Sequence, residues 1–148
     1  MNTHPYLRAY LAGVFVPTLG LPVILIVFIV ARLVLAVPFP TERFLIFPMS
    51  VVPVLFGVWN MLYLAAHERT HLSIGAHGAI LPFLGAPIGA TVAYCLGIFR
   101  FGAGGVVWFQ SCQVPYAIIA CGFLAGVAAY YLVWKYIVGF LNRVLAIA

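Results

Sequence analysis

His67, Glu68 and His71 form a His-Glu-x-x-His arrangement, and His77 follows six residues after His71. Residues four apart on a helix share one face, one turn apart, so two imidazoles at this spacing could bind one divalent cation. A glutamate between them would be placed to take a proton from metal-bound water. These are three of the four histidines in the chain, and Glu68 is one of its two acidic residues. The spacing therefore offers two readings. One is a metal centre; the other is a polar connection between apolar segments.

The surrounding chain decides what can position such a segment. Hydrophobic residues make up 66% of the 148 residues and charged residues only 6%, and the mean hydropathy is +1.20. A soluble domain keeps about a quarter of its residues charged, so this composition points to an all-α integral membrane protein. Apolar runs of about 20 residues cross the ~30 Å hydrocarbon core as helices that satisfy their own backbone. No alternating ten-residue pattern suggests a membrane β-barrel. The seven basic residues are scattered, so the clustered face that nucleic acid requires is missing.

Four spans are expected, at about 11–35, 44–66, 78–99 and 114–136, forming one membrane domain over 1–148. The first begins too long for the apolar core of a signal peptide and is read as a retained helix. Thr41 and Glu42 suit the start of the second helix, the one as a cap and the other at the positive end of the dipole. Residues 101–113, glycine-rich but apolar, are expected to lie in the membrane interface. Tyr130, Tyr131, Trp134, Lys135 and Tyr136 make an aromatic and basic girdle at the end of the fourth span. The remaining residues are expected to extend along the membrane surface. Arg8, Arg69, Lys135 and Arg143 fall on the histidine side, against Arg32, Arg43 and Arg100 on the other. That excess places the termini and the histidine segment in the cytoplasm.

Proline pairs five residues apart, Pro17/Pro22, Pro48/Pro53 and Pro82/Pro87, predict a four-transmembrane-helix bundle with proline-kinked helices. The carbonyls of Thr18, Met49 and Phe83 lose their helical donors to the later prolines. They either find other partners or line a polar cavity. Gly85, Gly89, Ala93 and Gly97 recur every four residues in span three, and Gly122 and Gly126 form a GxxxG in span four. Small residues let helix backbones approach in lipid. These faces are expected to pack spans three and four together, or else to mediate self-association. Cys95, Cys112 and Cys121 have no metal or redox spacing and read as small apolar residues.

The histidine segment resembles the zincin signature, and His77 falls where the extended metzincin pattern HExxHxxGxxH places its third ligand. The resemblance covers eleven residues. It implies zinc on His67, His71 and His77, with Glu68 as the catalytic base. The glycine departs from the pattern: it is Gly75, while position 74 is isoleucine. The only other acid, Glu42, is expected about 30 Å away on the opposite face. Haem ligated by two histidines needs them on opposing helices, and here there is one cluster with His4 apart from it. In the competing reading, Ser73 caps the third helix and the segment is a polar turn.

The function expected from these residues is non-enzymatic. The chain reads as a small transport or channel-like protomer, or an accessory subunit of a membrane complex. Asn60, Tyr63, His67, Glu68, His71 and His77 would form a polar mouth, since histidine changes charge near neutral pH. Its partners would be the lipid bilayer and further copies or other membrane subunits. The alternative is a membrane zinc metallohydrolase.

Overall fold

A computed structural model describes residues 4–36, 41–108 and 112–147, with side chains of residues 41–49 outside the described set. The expected capping by Thr41 and Glu42, and the expected roles of Pro48 and Met49, lie outside the described residues. Helix α1 spans Pro5–Leu33, α2 Thr41–Thr70 and α3 Ile74–Cys95. A meander follows, with β1 Phe99–Gly102, β2 Gly105–Trp108 and β3 Cys112–Pro115. Helix α4 (Tyr116–Leu132) passes through a π-helical turn, Val133–Val138, into α5 (Gly139–Val144). Four helical stretches are long and apolar enough to cross a membrane: Pro5–Leu33, Ser50–Thr70, Ile74–Cys95 and Tyr116–Val144. The 22 residues of α3 rise about 33 Å at 1.5 Å per residue.

The helix boundaries follow local chemistry. Pro5 starts α1 where its missing N–H costs nothing. Ser73 caps α3, its hydroxyl accepting from the Ala76 amide at 3.3 Å, as the polar-turn reading expected. Helices α1 and α3 run on through Pro17/Pro22 and Pro82/Pro87. At the other end of α3, the Ile98 amide donates to Ala93 O and the Gly97 amide to Tyr94 O. Gly97, at φ 68, is thus the left-handed residue of a Schellman cap.

Span three was expected to reach residue 99; this cap stops its helix at Cys95. The fourth helical stretch also differs from expectation. It continues past the expected Tyr136 as one stretch to Val144, and Asn142 within it is buried.

The three-stranded sheet was not expected. Its strands run antiparallel in the order β1-β2-β3, and Gly102 pairs with Gly105 across a two-residue turn at Ala103-Gly104. A side chain at Gly105 would come within 2.8 Å of the Val114 carbonyl carbon, so glycine permits the close approach of β3. Phe99 stands opposite Trp108, their rings 5.3 Å apart.

Helix α1 packs on α2, and α3 packs on α4 and the π-helical turn. Both pairs close through glycines other than those expected. A Cβ on Gly13 would lie 2.8 Å from Phe56 C and 2.9 Å from Gly57 Cα, which marks the α1–α2 crossing. A Cβ on Gly75 would lie 2.9 Å from the Tyr131 ring, and one on Gly78 would overlap Trp134. By contrast, a Cβ at Gly85, Gly89, Gly97, Gly122 or Gly126 would meet nothing within 4 Å. The expected use of these residues to pack spans three and four is therefore corrected. The two helices do meet, as in the edge-to-face pair of Phe83 and Phe123 at 5.1 Å, but their glycine faces stay open. The reason lies in the buried residues, which concentrate at the histidine end: Ala9 and Ala12 of α1, Phe56 and Asn60 of α2, His77 and Leu81 of α3, and Trp134, Val138 and Asn142. Helix α4 itself contains no buried residue.

Candidate functional site

The polar residues at the histidine end divide into three groups. The deepest is an amide pair. Asn60 and Asn142 are both buried, and each donates to the other, at 2.8 Å from Asn60 Nδ2 and 3.1 Å from Asn142 Nδ2. Asn60 Nδ2 also donates to the Ala9 carbonyl at 2.8 Å. One asparagine thus joins α1, α2 and α5. Burying an amide is costly unless it is hydrogen-bonded, and here each amide finds its partner in the other.

The second group surrounds His77. Its Nε2 lies 2.9 Å from the Trp59 carbonyl. A carbonyl oxygen only accepts, so Nε2 carries the proton and donates. In return, Trp59 Nε1 donates to the His77 carbonyl at 3.0 Å. The His77 ring stacks on Trp59 at 4.7 Å and 25°, with Tyr63 at 5.3 Å and Trp134 edge-on at 5.9 Å. The glycine at position 78 lets Trp134 approach, and the π-helical turn carries Trp134 into this contact. Tyr63 continues the ring series to His67, at 4.9 Å. His67 Nδ1 and Trp134 Nε1 are buried without a hydrogen-bond partner.

The third group is exposed: Glu68, Arg69, Thr70 and His71. Helix α2 does carry the histidine segment, as the spacing requires, but it ends at Thr70. His71 then takes a left-handed conformation, φ 49, its amide closing the last turn onto His67 O. The shared helical face of His67 and His71 is lost at that residue. His77 in turn is buried and held by Trp59 through Nε2. Among the described residues, no group of three His, Cys, Asp or Glu side chains is placed to hold a metal ion. The arrangement expected of a zinc hydrolase, with Glu68 beside a three-histidine centre, is therefore not assembled in this fold.

Of the expected polar mouth, Asn60, Tyr63 and His77 are buried, His67 is half-buried, and Glu68 and His71 are exposed. The sequence reading missed Asn142, Trp59 and the role of Trp134 as a wholly buried anchor. A single asparagine in the apolar run Phe140-Leu141-Asn142 was the available signal, because an isolated amide among apolar residues seeks a partner. Below the polar groups lies an apolar cluster of Phe56, Leu81, Trp134 and Val138, with Val52, Ile74 and Tyr130 packed against it. The geometry of these groups suits joining helices.

No family model, curated protein or solved structure matches the chain.

Proposed function

We propose that this chain is a non-enzymatic membrane protein acting as a helical subunit of a larger assembly, with further copies of itself or with other membrane proteins. The observation that carries this reading is the division of the bundle into a closed end and an open one. At the histidine end, glycines, rings and amides are consumed in joining the four helices. At the other end, Gly85 and Gly89 of α3 and Gly122 and Gly126 of α4 face open space. Small-residue faces of this kind let a second helix approach closely in lipid, where van der Waals contact replaces the hydrophobic effect as the driving force. The histidine end is assigned to the cytoplasm from its four basic residues against three.

Transport fits this reading only at an interface between subunits. Phe56, Leu81, Trp134 and Val138 fill the space beneath Asn60 and His77, so a pathway along the axis of one chain would have to cross a packed apolar layer. Cross-linking in native membranes tests the proposal. The wild type should yield a discrete adduct larger than the chain, and Gly85→Leu with Gly89→Leu, or Gly122→Leu with Gly126→Leu, should lower its yield severalfold. An unchanged adduct in both double variants, or a wild type that stays monomeric at native abundance, would sink it.

A further inference from the structure

Helix α4 carries no charge; no charged residue occurs between positions 101 and 134. Ile119, Phe123, Val127 and Tyr130 form its half-buried side. There Phe123 meets Phe83 of α3 edge-to-face, and Tyr130 lies 5.6 Å from Phe56 of α2. Successive residues of a helix turn by about 100°, at 3.6 residues per turn, so Cys121, Ala125 and Ala128 lie on the side away from those contacts. All three are exposed, and so are Gly122 and Ala129 beside them.

A face turned to lipid can carry large apolar side chains, whereas small ones concentrate where helices meet. The outward face of α4 thus has the composition of an interface, and none of the described helices covers it. The surface area points to what does. The chain exposes 9441 Å², where a compact monomer of 16.1 kDa exposes about 7,400 Å². The excess over that relation, about 2,000 Å², is of the size that each protomer contributes to an obligate homodimer interface. A second copy brings the same small, uncharged face, and a two-fold axis sets each residue against its own counterpart. With no charge on either side, such a pairing leaves no ion buried or repelled. We propose that a second copy of this chain packs on the outward face of α4, with Cys121, Ala125 and Ala128 of each copy meeting about a two-fold axis. The interface rests on the reading of the chain as a subunit of an assembly, and it names the partner as the chain itself.

Cys121 supplies the probe, because a residue near a two-fold axis lies close to its own copy. The full chain carrying Cys95→Ser and Cys112→Ser is oxidised with copper phenanthroline in native membranes. It should give a reducible adduct of twice the chain's mass, and two tags on coexpressed chains should both appear in that adduct. Ala125→Leu, at a position exposed in the single chain, should lower the yield severalfold. Val127→Cys in a chain without other cysteines, on the half-buried side, should give no such adduct. No adduct from Cys121, an equal yield from Val127→Cys, or a yield unchanged by Ala125→Leu would overturn the pairing. An adduct of another mass that lacks the second tag would assign the face to a different protein and overturn it as well. If Cys121 fails while cross-linking of the wild type still yields a larger adduct, the subunit reading stands and this interface falls. If neither adduct forms, both fall.

Discussion

Asn60 and Asn142 show how one polar residue can order an apolar protein. Each amide satisfies the other, and Asn60 also reaches the Ala9 carbonyl, so three helices meet at one side chain. Replacing only Asn60 by leucine leaves the Asn142 amide buried and unpaired. We expect that variant to lose about 1–3 kcal/mol, the cost of an unsatisfied buried polar group. Replacing both asparagines by leucine should cost less than the sum of the single variants, because no orphan remains. Unfolding in mixed detergent and dodecyl sulfate would measure this; strictly additive losses would mean the pair is not coupled. His77 follows the same logic. Its type and spacing suggested a metal ligand, yet its proton is committed to Trp59 O and its ring is stacked within an aromatic cluster. Its type and spacing mark the residue in the sequence, whereas the groups that hold it lie 14 positions away or further.

Among the helices, the decisive feature is which glycines are covered. Gly78 faces the Trp134 ring, and Gly13 faces the backbone of Phe56 and Gly57. Gly122 faces nothing within 4 Å. Gly78→Ala should therefore destabilise the fold by about 1–3 kcal/mol through overpacking, because Trp134 is wholly enclosed and has little room to yield. Gly122→Ala should leave the monomer as stable or add about 0.5–1 kcal/mol, since alanine is the better helix former. Thermal midpoints of the two variants in detergent would compare them directly, and equal losses would contradict the assigned crossings. The four-residue spacing of Gly85, Gly89 and Ala93 correctly marks a face of α3. Spacing alone cannot say what covers it. The same limit explains the missed sheet: Phe99-x-Phe101 and Val106-x-Trp108 alternate around a glycine-rich turn, a hairpin signal that the continuous apolar composition of the segment obscured.

For the molecule as a whole, α1 and α5 meet the histidine segment at one end, and the sheet joins α3 to α4 at the other. Cys95 and Cys112, both exposed, lie at the sheet end, while exposed Ser73 lies at the histidine end. In sealed vesicles, a membrane-impermeant maleimide should reach the two native cysteines from one side. In a cysteine-free background, Ser73→Cys should react only from the other side. Labelling of all three from the same side would rule out the four-span arrangement. Composition by itself determined four helices long and apolar enough to cross a membrane, because hydropathy and length are local sums that need no partner. It also located the Ser73 cap and the concentration of polar chemistry around residues 60–77, since those signals lie within a few residues of one another. What only the tertiary structure decided is which polar groups are spent on one another. Asn60 and Asn142 are 82 residues apart, and His71 leaves the shared face through a single left-handed residue. A His-Glu-x-x-His spacing fixes a metal site only if the helix continues through its last histidine, and here the helix ends one residue before it.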